Sequence, residues 1–201
     1  MTFKKSLLIV FLLLVIDQAV KVWVKLNMHI GEEIIIFEDW ARINFIENKG
    51  MAFGFIFGGD AGKLALSIFR LVAIAGLVWY LLKISREKLP KIAIFSIALV
   101  LAGAIGNMVD SAFYGLLFSE SSYHAQNVAE FLPEGGGYER FMFGSVVDMF
   151  YFPMFSGNYP PWLFNGREFT FFSPVFNVAD SLIFVGVVLI IIVRKKFLQA
   201  L

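Results

Sequence analysis

The sequence predicts a mainly α membrane protein with four transmembrane helices, organised as one integral membrane domain over residues 1–201. Three observations carry this expectation. Of the 201 residues 59% are hydrophobic, 24 are Phe and mean hydropathy is +0.76, whereas soluble domains are roughly 45–50% apolar. Four windows reach the roughly 20 apolar residues needed to cross a hydrocarbon core of about 30 Å. Basic residues cluster beside these windows on one side only.

The windows run from about 6–26, 64–82, 92–113 and 173–193, leaving connecting segments of about 27–63 and 114–172. Lys4 and Lys5 precede the first window. Lys83, Arg86, Lys88 and Lys91 join the second to the third, and Arg194, Lys195 and Lys196 follow the fourth. These are nine of the 17 basic residues, with a single acid, Glu87, nearby. The positive-inside rule puts both termini in the cytoplasm and the two long segments outside. Lys4-Lys5 followed by an apolar run imitates a signal peptide, but Asp17-Gln18 interrupts the cleavage region, so an uncleaved first span is expected.

Between Glu33 and Phe57, β-branched and aromatic residues alternate with polar ones, the pattern of a small sheet on the membrane surface. Residues 120–140 turn polar and end in Gly135-Gly136-Gly137, which reads as a mobile excursion. The following aromatic and Pro-rich stretch suits the headgroup level. A net charge of +1 argues against a nucleic-acid partner. The absence of Cys, with only His29 and His124 and no H-E-x-x-H spacing, argues against zinc and excludes thiolate chemistry.

Every window carries an ionisable residue: Asp17 and Lys21, Arg70, Asp110, and Asp180. A charge at the bilayer centre costs about 2.5–3.5 kcal/mol on insertion scales, so such residues mark functional sites by default. Asp110 lies about 18 residues past the start of its helix, roughly 27 Å along the axis, at the outer surface. Asp180 sits one or two turns below the same surface, and Asp148 lies in the apolar stretch Gly144–Phe152. Asp148 and Asp180, each embedded in apolar residues, are the expected pair. Two carboxylates within about 3 Å share a proton at neutral pH, so one acts as base and the other as acid, the chemistry of aspartic peptidases. The competing structural reading makes both helix caps or ion-pair partners. Arg70, about six residues from its span's outer end, reads as snorkelling to the headgroups.

The motifs run in order: Asp17-Gln18 with Lys21; Asn48-Lys49-Gly50-Met51-Ala52-Phe53-Gly54; Gly103 to Asp110 with Gly106 and Asn107; Val146-Val147-Asp148; and Asn177 to Ser181. Together, and on this topology, they closely resemble the bacterial lipoprotein signal peptidase (type II signal peptidase) family. The resemblance implies four transmembrane helices with a small extracytoplasmic β-cradle and a periplasmic helix. It implies cleavage of prolipoproteins before a diacylglyceryl-modified cysteine in the bacterial cytoplasmic membrane. Asp148 and Asp180 would be catalytic, and Asp17, Lys21, Asn48, Gly50, Asn107, Asp110 and Asn177 supporting or substrate-contacting. Asn side chains can hold carboxylates without adding charge. Gly103 and Gly106 thin a helix face for a lipid or a backbone, or simply for helix packing.

Two features depart from the family pattern. Ser111 stands where the family usually has Arg after Asp. Arg140, eight residues before Asp148, is the first candidate to supply that charge, ahead of Arg167 and Lys21. The gaps between Asp110, Asp148 and Asp180 are longer than is common. The chemistry calls for no metal, nucleotide or covalent intermediate, the partners expected are lipidated prolipoproteins and membrane lipids, and a monomer suffices. The rival reading is a small proton-coupled carrier relaying protons through Asp17, Asp110 and Asp180. A carrier needs its acids at different depths; a peptidase needs two at one depth.

Overall fold

The computed structural model describes residues 1–38, 40–49, 59–87 and 89–198. Four long helices form its body: α1 (Phe3–Asn27), α2 (Gly59–Arg86), α3 (Lys91–Val109) and α4 (Val178–Leu198). The first three are long and apolar enough to cross a membrane. α3 continues as a π-turn over Asp110–Tyr114 and a last α-turn, Gly115–Leu117.

α3 is the central helix. In its most apolar window 67% of residues are buried, against 22% for α1 and 11% for α2. It packs on all three other helices, most extensively on α4. α1 turns Val10, Asp17, Lys21 and Val24 inward, a three-to-four-residue spacing that defines one face, and leaves Leu8, Phe11, Leu12 and Val15 pointing outward. Gly103 and Gly106 let α4 approach: a Cβ on either would run into Ala179, and one on Gly106 would also meet the Asp17 carboxylate. These glycines therefore serve helix packing and make room for a buried acid.

Two antiparallel sheets cap one end of the bundle. The larger has the order β1 (Glu33–Phe37), β2 (Ala41–Asn48), β3 (Val146–Tyr151), β6 (Val175–Phe176). The smaller is a hairpin of β4 (Phe155–Asn158) and β5 (Glu168–Phe171). β1 and β2 lie where alternation predicts them. β3 and β6 come from an apolar run of the outer segment and from the first residues of the fourth window. The fourth apolar window is expected from about 173, whereas its helix begins at Val178, because Asn177 caps it and residues 175–176 form β6.

Residues 120–140, expected as a loose excursion, are tied down at several points. Val128 bridges His29, Phe131 bridges Phe118, and the Glu139 N–H donates to the Gly115 carbonyl. Within the π-turn, the Ser111 and Ala112 carbonyls accept from the N–H groups of Gly144 and Met142, so the helix end also holds the residues that follow this segment. Helical structure among the described residues of the connecting segments is limited to single turns, and the surface helix implied by the resemblance is not found there. Two apolar clusters fill the interior. One centres on Val10, Leu81, Ala98 and Leu101, the other on Val24, Phe45, Tyr114 and Met149 beneath the sheet. On α1, Asp17 and Lys21 lie between Val10 of the first cluster and Val24 of the second.

Candidate active site

Asn177 joins the two expected acids. It is the N-cap of α4 and Asp180 is the third residue of that helix, so N-x-x-D forms a capping box. The Asp180 N–H donates to Asn177 Oδ1 at 2.8 Å, and the Asn177 N–H reaches Asp180 Oδ2 at 3.4 Å. The Asn177 amide nitrogen donates to Asp148 Oδ1 at 2.6 Å and to Asn107 Oδ1 at 3.1 Å. Asn107 closes the ring by donating to Asp180 Oδ1 at 2.8 Å. Asp180 thus caps the helix and meets the Asn107–Asn177–Asp148 cluster at once. The structural and functional readings of this acid are not alternatives.

Asp148 comes from β3, a strand buried on both faces. Its side chain also takes a hydrogen bond from Asn48, which faces Val146 across the β2–β3 ladder and so reaches Asp148 on the diagonal. Burial raises the Asp148 carboxyl to about 7, and the charge of Asp180 adds to the rise. Hydrogen bonds from Asn177 and Asn48 and the charge of Lys21 oppose it. A group held there can carry a proton near neutrality while its neighbour is ionised.

Lys21 underlies the pair. Its ammonium meets Asp110 Oδ2 at 2.8 Å, Asn107 Oδ1 at 3.0 Å and Asp17 Oδ2 at 3.1 Å, three acceptors for three donors, with the side chain fully buried. Each acid in turn holds backbone. Asp17 Oδ1 accepts from the Ala179 N–H at 2.8 Å, fixing the first turn of α4, and Asp110 Oδ2 accepts from the Val147 N–H, one residue before Asp148. Gln18 donates to Asp17 and Asp110 and accepts from the Tyr114 hydroxyl. The network sets the strand bearing Asp148 and the helix bearing Asp180 against the same two membrane helices.

Asp17, Lys21, Asn48, Asn107, Asp110, Asp148, Asn177 and Asp180 therefore converge. Gly50 and the Met51–Gly54 stretch lie outside the described residues. Arg140 does not join them: its guanidinium pairs with Asp60 at 2.5 Å, stacks over Phe143, and its side chain is 62% exposed. Arg167 sits exposed at the end of the β4–β5 loop, and Lys21 is already committed to three acceptors. The expectation that Arg140 supplies the charge missing at Ser111 is thus corrected. The cation at that position is Arg70, which donates from Nη1 to Ser111 Oγ at 2.9 Å and interacts electrostatically with Asp180, Asp110 and Asp148. It turns inward, so the snorkelling reading also fails. Gln18, part of the Asp17-Gln18 motif but not of the expected site residues, joins the network as well. A polar residue within a span was the signal available.

Residues 9–195 match the family described as Signal peptidase (SPase) II. A lipoprotein signal peptidase of Porphyromonas gingivalis is 46% identical over 196 residues, covering 96% of this chain and 84% of that protein. One from Amoebophilus asiaticus is 34% identical, covering 95% and 78%. A solved structure described as a bacterial membrane enzyme superposes with a TM-score of 0.60 at 24% identity, over 96% of this chain and 88% of the other, and shares the fold. With four helices, a small antiparallel sheet and two aspartates linked through Asn177 and Asn107 already in view, these matches show that the chain belongs to the signal peptidase II family of membrane aspartic peptidases.

Proposed function

We propose that this chain removes signal peptides from prolipoproteins by cleaving before a diacylglyceryl-modified cysteine, with Asp148 and Asp180 as the acid pair. The observation that carries the assignment is Asn177. A single side chain hydrogen-bonds the Asp148 carboxylate and caps the helix turn that presents Asp180, so the two acids sit at one depth. A proton relay across the bilayer needs its acids spread along the path.

The ionised acid takes a proton from a water as that oxygen adds to the scissile carbonyl carbon. The protonated acid gives its proton to the carbonyl oxygen, leaving a neutral gem-diol. Collapse breaks the carbon–nitrogen bond, and a proton passes to the cysteine nitrogen. The pair titrates as a unit, so base and acid roles belong to the pair rather than to either residue. Asn107, Asn177 and Asn48 hold the carboxylates, while Asp17, Lys21 and Asp110 fix the elements that carry them.

The positive-inside rule supports an orientation with both termini in the cytoplasm and the sheet at the outer face. The acid pair then lies at the outer leaflet. The lipidated substrate enters laterally, its acyl chains staying in the bilayer, and the sheet clamps the peptide from outside. A monomer contains the whole site.

The test is cleavage of a diacylglyceryl-modified prolipoprotein in detergent by wild type, Asp148→Asn and Asp180→Asn. Each variant should fold normally and lose about 10²–10⁴-fold in rate, the usual worth of general acid–base groups. Substantial activity in either variant would remove that residue from the pair. An inactive wild type on lipidated substrate would overturn the substrate assignment.

A further inference from the structure

Arg70 is the cation beside the acids that the Lys21 network does not use. It lies on α2, the helix least enclosed by the rest of the protein, between the outward-facing Phe69 and Leu71. A guanidinium on such a helix has an easy route to headgroups. Arg70 instead reaches across to α3 and donates to Ser111 Oγ at 2.9 Å, one residue beyond Asp110. Ser111 has no need of it. Its hydroxyl already donates to the Asn107 carbonyl at 3.1 Å, so Arg70 does not rescue an orphaned group.

The charges around the acid pair give Arg70 a purpose. α1 contributes Asp17 and Lys21, α3 Asp110, β3 Asp148 and α4 Asp180; on β2, Glu47 is turned to Lys25. All three Lys21 donors are taken by Asp17, Asp110 and Asn107. Four aspartates thus face one saturated lysine. Arg70 is a second cation in electrostatic reach, and among the described residues it forms no ion pair within 4.0 Å. Its remaining N–H donors make no hydrogen bond to any described residue.

We propose that Arg70, anchored on α3 through Ser111, is the positioning residue that keeps the Asp148–Asp180 pair in its singly protonated form, in place of a cation carried by α3 itself. This rests on the acid-pair reading above. A nearby cation favours the ionised carboxylate. Without it the pair retains its second proton to higher pH, and the base is lost at the acid end of the range. Serine at position 111 and arginine at position 70 form one unit, the anchor on one helix and the charge on its neighbour.

The experiment is the pH dependence of kcat/KM on a lipidated prolipoprotein, with the melting midpoint of each variant measured alongside. Arg70→Gln should fold, because Ser111 keeps its own acceptor. It should also move both limbs of the profile up by about one pH unit, so that activity at pH 6 falls about tenfold more than at pH 8. Arg70→Lys should keep the limbs near their wild-type positions. The exchange Arg70→Ser with Ser111→Arg, which returns the charge from α3, should restore them. Ser111→Ala, which removes only the anchor, should cost a few-fold. Wild-type limbs in Arg70→Gln would overturn the proposal, as would equal inactivation of Arg70→Gln, Arg70→Lys and the exchange. Asp148→Asn and Asp180→Asn run in parallel separate the two failures. If they retain activity the acid pair is wrong; if they are dead and Arg70→Gln behaves as wild type, only the role of Arg70 is wrong.

Discussion

Lys21 and Lys25 lie one turn apart on α1, both fully buried, and do different work. Lys21 is surrounded by acceptors that themselves hold the strand and helix bearing the candidate acids. Lys25 pairs with Glu47 of β2 and donates to Ser121 at 2.8 Å, inside a cage of Phe45, Phe118 and Tyr138 rings 4.9–6.0 Å away. One ties the helices to the site; the other ties the first helix to the sheet and to the 120–140 segment. A buried cation in a membrane span is therefore an incomplete sign of function. What its partners hold decides the matter.

The sharpest way to break this contrast is to remove Lys21. Lys21→Met leaves Asp17 and Asp110 buried without their cation, the situation that typically costs about 3–5 kcal/mol. The double change Lys21→Met with Asp110→Asn should recover part of that stability, read by unfolding in detergent, and should not recover cleavage. Recovery of full cleavage in the double variant would make Lys21 a structural filler like Lys25.

Lys25→Met sharpens the contrast from the other side. Its aromatic cage remains and accepts an apolar side chain, so about 1–3 kcal/mol is expected from stranding Glu47. Cleavage per folded molecule should stay within about twofold of wild type. Adding Glu47→Met should restore the stability, because a buried ion pair replaced on both sides is often neutral or better. A tenfold loss of cleavage by folded Lys25→Met would show that the sheet end of α1 is part of the chemistry.

The difference between these lysines also shows where the sequence is legible. The four helices follow from length and hydropathy, and β1 and β2 from alternation, because those signals are local. Asp17, Lys21, Asp110, Asp148 and Asp180 stand out because charge in apolar surroundings is costly wherever it lies. The roles of Lys25 and Arg70 depend on long-range partners, Glu47 and Ser111, that no periodicity announces. Arg140 misled for the same reason. Nearness to Asp148 in the chain is not nearness in space, because the segment between them turns Arg140 outward to Asp60. β3 was hidden because a strand buried on both faces loses the alternation that reveals β2. β6, two residues long, offers too little pattern to find.

The smallest expected effect concerns Asp148 itself, and its sign separates a site acid from a structural one. Burial and the nearby Asp180 raise its carboxyl from an ordinary value near 3.8 to about 7. Between those values the folded protein holds a proton that the unfolded chain has released. This group's contribution to stability is therefore complete below the unfolded value and falls as pH rises through the folded one. Asp148→Asn removes the titration. The variant should match wild type in stability below pH 4 and exceed it at pH 8, while cleavage is lost. Wild-type cleavage should decline above pH 7 as the shared proton leaves, approaching tenfold per pH unit. An acid whose main task was to hold the fold together would behave in the opposite way: its neutralisation would weaken the protein most at alkaline pH, where its charge is fully developed. Stability gained at pH 8 together with activity lost is the signature expected of an acid kept buried for its proton.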